Sequence, residues 1–292
     1  MRTFEYLKPT TAAQVVELLA EYGNRAKVIA GGTDLMIQWK KKLVSPQYLV
    51  SLRNVSELRF VSLKDGLRIG SGTTHRALEL SRDIQQHYPV ISDAVQNLGS
   101  VQVRNSATIG GNICNAAPSA DTAPPLLVLD TQVKILGLGG ERTIPISKFF
   151  QGPGRTVLHP GEIVTEFSIP APAPGTGMAY WKQTRRKAMD LPILGVALLL
   201  TFAEDGITCL HARIGLGVAA PVPMRALKAE EFLTGNGIDE RTLDEAGRIA
   251  SEEASPRTTI RGSEWYRRHM IRVLVKRVGL ICRDRALQRG AS

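Results

Sequence analysis

The spacing of apolar residues changes period along the chain, and those changes mark out its elements. Residues 4–9 read as a short strand stopped by Pro9. Residues 11–22 carry Val15, Val16, Leu18, Leu19 and Tyr22 on one helical face, with Thr10 or Thr11 as N-cap and Gly23 as the residue that ends the helix. Residues 27–30 and 48–52 read as strands, and between them 33–42 reads as a helix with a basic last turn, where cations favour the negative end of the dipole. Asp65-Gly66 is a two-residue turn signal, so 58–69 is predicted to be a hairpin. Helices are expected over 74–81 and 88–98, then a short extended run that turns at Gly110-Gly111-Asn112. Beyond an apolar run at Leu126–Leu129, residues 133–136 and 142–146 predict a second hairpin, and 162–169 a strand ending at Pro170.

Residues 171–177, APAPGTG, form the clearest linker: alternate prolines deny it sheet hydrogen bonds and glycines end it. Beyond it the texture changes. Residues 178–183, 195–204 and 207–215 read as strands, the last two joined at Asp205-Gly206, and helices follow over 224–233, 240–254 and 263–287. This pattern is a small antiparallel sheet covered by helices, an α+β arrangement. The domains expected are therefore 1–172, with subdomains of about 1–54 and 55–172, and 178–288.

Composition narrows the function classes. The chain has 292 residues, 43% of them apolar, and a net charge of +10, which favours anionic partners. Aromatics are only 5%, too few for a surface that stacks nucleic-acid bases. Cys114, Cys209 and Cys282 are far apart and in no CxxC pattern, so neither a zinc nor an iron–sulfur site is expected, and a reducing, cytoplasmic compartment fits. The longest apolar run, 193–202, is too short to span a bilayer. The last helix is rich in arginine, from Arg257 and Arg261 to Arg285 and Arg289, and reads as a solvated face or a surface for another subunit before it reads as a nucleic-acid contact.

Two glycine turns carry the candidate chemistry. Val28, Ile29, Ala30, Gly31, Gly32, Thr33, Asp34 and Leu35 pass from strand through a tight turn into a helix, where backbone N–H groups can face a phosphate. Thr108, Ile109, Gly110, Gly111 and Asn112 form a second such segment, and together the two could grip the two phosphates of a dinucleotide from opposite sides. Taken singly, each is equally well read as a tight turn. Neither fits G-x-G-x-x-G in a βαβ unit, so a Rossmann site is not supported. Asp121 offers a carboxylate to ribose or ribityl hydroxyls, or else caps the following helix. Arg104 and Asn105 read as loop braces. No nucleophile motif is present, and the five histidines do not group with acids, so any redox chemistry is expected from a bound cofactor.

The segments VIAGGTDL (28–35), VRNSATIGGNICNAAPSADTAP (103–124), GEIVTEFSIP (161–170), YWKQTRRKAMDLP (180–192) and GLGVAAPVPMR (215–225) resemble the FAD-binding subunits of the molybdenum hydroxylases, a family that includes xanthine dehydrogenase and carbon monoxide dehydrogenase. The wording is most similar to bacterial three-subunit xanthine dehydrogenases. The resemblance implies a vanillyl-alcohol-oxidase-type FAD domain of two α/β subdomains, then a C-terminal α+β subdomain with an antiparallel sheet. It implies that 28–35 and 108–112 hold the diphosphate and that Asp121 meets the ribityl or ribose region. Thr165 and Lys182 would approach the isoalloxazine or the adenosine arm from the other side. Leu98 stands where relatives often carry an aromatic residue, so it would pack on the flavin without stacking. The cysteine-rich insertion that holds a [4Fe–4S] cluster in some members is missing. Implied partners are a molybdopterin-binding large subunit and a small [2Fe–2S] subunit, with NAD⁺ or another acceptor, in a complex that is commonly a dimer of heterotrimers. A stand-alone flavin oxidoreductase is the alternative; a nucleic-acid-binding protein, which leaves both glycine turns unexplained, is a remote one.

Overall fold

In a computed structural model, residues 3–290 are described, with the backbone alone for Arg289 and Gly290. The basic residue expected at Arg289 thus has a side chain outside the described ones.

The first layer is a three-stranded parallel sheet, β1 (Glu5–Leu7), β2 (Ala26–Ile29) and β3 (Tyr48–Ser51), ordered β1-β3-β2. Helix α1 (Ala12–Tyr22) packs on it through Val15, Val16 and Leu19. Its N-cap is Thr11, whose hydroxyl accepts from the Gln14 N–H, and Gly23 ends it at φ 52°. The short α2 (Leu35–Lys40) follows the first glycine turn.

The second layer is a five-stranded sheet. It holds β4 (Val61–Ser62), β5 (Leu67–Gly70), β6 (Gln132–Gly137), β7 (Gly140–Pro145) and β10 (Ile163–Ile169), ordered β4-β5-β10-β6-β7. The Asp65-Gly66 turn joins β4 and β5 with both residues at positive φ, 56° and 106°, a conformation that Asp and Gly tolerate best. Between β5 and β6 run six short helices: α3 (His75–Leu80), α4 (Arg82–His87), α5 (Pro89–Gln96), α6 (Val101–Ser106), α7 (Ile109–Cys114) and α8 (Ala123–Val128). Residues 101–106 are therefore helical where an extended run was expected. Valines at 101 and 103 favour strand locally, but Ser100 and Thr108 cap α6 and α7 with their hydroxyls and override that preference. The apolar run at Leu126–Leu129 belongs mostly to α8, whose Pro124 and Pro125 occupy the first turn, where no N–H is missed. A small ribbon, β8 (Phe150–Gly152) with β9 (Arg155–Thr156), precedes β10.

The third layer is antiparallel: β11 (Thr176–Gln183), β12 (Leu194–Phe202), β13 (Cys209–Gly217) and β14 (Met224–Arg225). Helices α9 (Leu227–Leu233), α10 (Glu240–Glu253) and α11 (Glu264–Gly290) complete this part, forming one hydrophobic cluster with the sheet. Met178, Tyr180, Ala197 and Leu199 belong instead to the cluster of the second layer, so β11 and β12 contribute to both cores. Some arginines of α11 are tied to the rest of the molecule. Buried Arg267 donates to the carbonyls of Ile193 and Arg257, Arg272 pairs with Asp244, and Arg285 reaches Asp93 and the Met178 carbonyl. Arg267 and Arg285 thus leave the basic face, while Arg268, Arg272, Arg277 and Arg283 stay at the surface.

Gly177 is a strand residue as well as the end of the linker, and α11 lies directly on it. A Cβ at Gly177 would sit 1.8 Å from the Cys282 carbonyl oxygen. Gly177→Ala is expected to destabilise the chain by about 3 kcal/mol, measured as a lower urea midpoint, because α11 must lift off the sheet.

Candidate functional site

Three segments far apart in sequence meet with no side chain between them. A Cβ on Gly31 would lie 2.1 Å from the Ser106 carbonyl oxygen, so the first glycine turn rests directly on the backbone joining α6 to α7. A Cβ on Gly110 would lie 2.7 Å from the Ser71 carbonyl oxygen, and the Gly110 N–H donates to that oxygen at 2.9 Å. The Ile109 N–H donates to Thr73 and the His75 N–H to Ala107, each at 3.0 Å. Glycine is required at 31 and 110 by this approach, and at Gly32 by a φ of 70°.

A cavity of about 660 Å³ opens against these segments, within the range of cofactor pockets. Val28, Ala30, Gly31, Gly32, Thr33, Asp34 and Leu35 line one side; Leu98, Thr108, Gly110, Gly111, Asn112, Asp121 and Lys182 also line it. Three expected residues do not. Ile29 alternates with Val28 in β2, and its side chain lies over Gly32. Ile109 is wholly buried in the core of the second layer. Thr165 sits at a bulge in β10 and its hydroxyl turns to the Lys134 carbonyl at 3.4 Å, leaving Ile163 and Val164 on the cavity.

The two glycine turns differ in what they present. Among the described residues, the backbone N–H groups of Gly31, Gly32, Thr33, Asp34 and Leu35 have no hydrogen-bond partner. Consecutive donors of this kind form an anion-binding concavity. At the second turn the expectation fails, because the donors are used internally: Ile109 and Gly110 on the 70–75 loop, Gly111 on the Thr108 hydroxyl and Asn112 on the Thr108 carbonyl. What the second turn offers is surface. A Cβ on Gly111 would meet only the Thr108 hydroxyl, so the ligand can lie flat against this backbone. Asn112 is held by the Thr122 hydroxyl, which donates to its Oδ1 at 2.6 Å.

Asp121 neither caps α8 nor stands free. Its carboxylate accepts from the Tyr180 hydroxyl at 3.0 Å and from Lys182 Nζ at 2.8 Å, and Lys182 also donates to the Asn97 carbonyl. Both side chains of the ion pair are almost wholly buried. Burial pushes the Asp121 carboxyl up, and Lys182 and Tyr180 pull it part of the way back. The pair joins the second layer to β11 at the cavity wall. Arg104 braces the site as expected, bound to both Glu79 carboxylate oxygens and to the Leu98 carbonyl, while Asn105 is exposed.

Two cavity residues were not read from the sequence. Ser71 and His75 are buried and line the cavity, and their Oγ, Nδ1 and Nε2 are the buried side-chain polar atoms without a partner among the described residues. Gly70-Ser71-Gly72 was the available signal, since paired glycines around a serine mark close backbone packing. Burial, reinforced by the Arg104 charge, pushes the His75 imidazole down to about 4. Cys114 also lines the cavity, its thiol pushed up to about 12 by burial.

A cavity of this size, walled by a donor-rich glycine turn, suits a phosphate-bearing cofactor. Residues 2–172 match the FAD binding domain in molybdopterin dehydrogenase, and residues 179–280 the CO dehydrogenase flavoprotein C-terminal domain. The chain is 36% identical over 276 residues to the xanthine dehydrogenase FAD-binding subunit of Escherichia coli O157:H7, covering 94% of each. It is 33% identical to the carbon monoxide dehydrogenase medium chain of Afipia carboxidovorans, covering 94% of this chain and 95% of that one. Among solved structures, a chain of carbon monoxide dehydrogenase from Hydrogenophaga pseudoflava superposes with a TM-score of 0.93 at 31% identity, over 97% of this chain and 98% of that one. A chain of quinoline 2-oxidoreductase from Pseudomonas putida 86 gives 0.92 at 31%, over 98% and 99%. The chain belongs to the FAD-binding medium subunits of the molybdenum hydroxylases, an oxidoreductase family, and its cofactor is FAD. No helix of the described residues is long and apolar enough to cross a membrane.

Two outcomes follow from the buried charges. Lys182→Met is expected to cost about 3 kcal/mol at pH 7, because Asp121 stays buried without its cation, and less as the solution is made acidic, since burial favours the protonated carboxyl; urea unfolding across the acidic range checks this. His75 binds a proton in the unfolded chain near its ordinary 6.5 but in the folded chain only near 4. The unfolded state therefore holds more protons in this window, and stability rises with pH through it. The contribution is about 3 kcal/mol in all, and it should vanish from the pH dependence of the FAD-free His75→Phe variant.

Proposed function

We propose that this chain is the electron-transfer subunit of a molybdenum hydroxylase complex, taking electrons from the [2Fe–2S] clusters of a small partner chain and delivering them to NAD⁺ or another acceptor. A molybdopterin-binding large subunit would oxidise the substrate, in a dimer of heterotrimers. The observation that carries the reading is the cavity between the two glycine turns, closed by the Asp121–Lys182 pair, in which no side chain is set up as a nucleophile or redox group. The bound isoalloxazine supplies the missing chemistry, exchanging electrons singly with iron–sulfur centres and in pairs with an acceptor.

The residues present suit FAD. The unpaired N–H groups from Gly31 to Leu35 are placed for the diphosphate. The flat surface at Gly111 and the Asn112 side chain would support it from the facing wall, with Leu98 as an apolar contact. Lys182 and Asp121 fix charge at the wall supplied by β11, and Ile29, Ile109 and Thr165 hold the strands and turns from behind. Relatives named for xanthine, carbon monoxide and quinoline share this fold over most of its length, which supports placing substrate choice outside this subunit.

The purified chain should show flavin absorption bands without iron–sulfur absorption. Gly111→Leu should lose FAD while keeping the wild-type melting profile, since its side chain would enter the cavity and meet only the Thr108 hydroxyl. Unchanged flavin content in that variant would remove the second turn from the site. Co-purification with iron–sulfur and molybdopterin chains tests the assembly.

A further inference from the structure

A second cavity, of about 380 Å³, opens beside the first, and its wall is basic. The loop joining β11 to β12 supplies Arg185, Arg186, Asp190 and Leu191, and the loop before α11 supplies Ile260 and Arg261. The one carboxylate among them is committed to its own loop. Asp190 accepts from the backbone N–H groups of Arg185 and Arg186 at 3.1 and 3.3 Å, and the Arg186 guanidinium lies 3.5 Å away. Arg185 Nη2 donates to the Ile260 carbonyl and so closes one loop on the other. Among the described residues, neither Arg185 nor Arg261 has a carboxylate partner. Bonded to the Ile193 carbonyl of the same wall is buried Arg267, which also holds the Arg257 carbonyl and the Thr259 hydroxyl, again with no carboxylate. Burial, with the charges of Arg257 and Arg261, pushes Arg267 down from its ordinary value. Glu264, just after the second loop, is paired with Arg268.

We propose that this second cavity binds a phosphate-bearing small molecule, held by Arg185, Arg186 and Arg261. Three guanidinium groups line it against one carboxylate that is already engaged, and a fourth, buried and uncompensated, stands behind them. Charge of one sign gathered along a concave wall concentrates the field there and draws in an anion. The guanidinium fork matches a pair of phosphate oxygens, where an ammonium would act only as a point charge. The space lies above the roughly 300 Å³ at which ligand pockets begin, which favours a small molecule over a flat macromolecular contact. Leu191 and Ile260 are exposed and set apolar surface next to the charges, so a phosphate ester with an organic portion fits better than the bare ion. The inference does not rest on the assignment of FAD to the first cavity. Asp190 and Leu191 line both cavities, so the two sites share one stretch of wall.

The test titrates the full chain by calorimetry with pyrophosphate, inorganic phosphate and ADP, under saturating FAD so that the first cavity is filled. One site per chain is expected, with pyrophosphate ahead of inorganic phosphate and ADP at least equal to pyrophosphate. Arg261→Gln, which gives up no carboxylate contact, should weaken pyrophosphate roughly tenfold without lowering the melting temperature. Arg185→Gln should weaken it by a similar factor. Arg277→Gln removes the same charge from an exposed position further along α11 and should leave the affinity within about twofold. ADP ahead of pyrophosphate would support the site with a nucleotide as its ligand, and equal affinities would support it with the free phosphate. Absence of binding by all three probes would overturn the inference and leave the arginines to an acidic partner chain. Affinity unchanged in both Arg185→Gln and Arg261→Gln would overturn it by placing the anion elsewhere, and equal losses in Arg261→Gln and Arg277→Gln would reduce it to diffuse surface charge. A chain that takes up no FAD would fail the cofactor assignment, while the comparison of Arg261→Gln with Arg277→Gln would still decide this one.

Discussion

Backbone against backbone is the constraint on which the site depends. Gly31 lies on Ser106 and Ala107, and Gly110 on Ser71, at separations that exclude even a methyl group. These contacts bring the first, parallel sheet, the loop after β5 and the start of α7 to one point, and the cavity is the space they leave. The glycines therefore do different jobs. Gly31 and Gly110 set the distance between segments, Gly32 supplies a left-handed turn, and Gly111 leaves a surface bare for the ligand.

The same arrangement distributes polar groups with a clear division. Donors at the first turn are left unpaired on the cavity, while those at the second are consumed in holding the fold. The charged pair Asp121–Lys182 is complete in itself and is braced by Tyr180 and Asn97. It fixes the wall between the two matched segments.

Much of this was legible in the chain. The helix at 11–22, the Asp65-Gly66 hairpin, the antiparallel C-terminal sheet and the turn at Gly31-Gly32 are written in local patterns of period, cap and glycine, and the structure has them. The motifs around both glycine turns and Asp121 carried the family. Illegible were features set by distant partners. Residues 101–114 fold as two short helices because Ser100 and Thr108 cap them and because Ile109, Gly110 and Ala107 bond to the 71–75 loop. His75 reads locally as an ordinary helix-start residue, and only the fold brings its N–H to the Ala107 carbonyl. Arg267 and Arg285 of α11 read as part of the basic face because their acceptors, Ile193 and Asp93, lie far back in the sequence.

The Gly177–Cys282 contact has a consequence in time. Lys182 reaches Asp121 from β11, and β11 is pressed into place by α11, the last element of the chain, while Arg285 ties that helix back to Asp93. A ribosome adding ~5–20 residues per second needs on the order of ten seconds to go from Asp121 to Arg285. Through that interval both glycine turns have been synthesised while α11 is still incomplete, so β11 lacks the helix that covers it. The wall of the cavity and the C-terminal sheet are thereby one folding event, since Lys182 reaches Asp121 only from a strand that α11 covers.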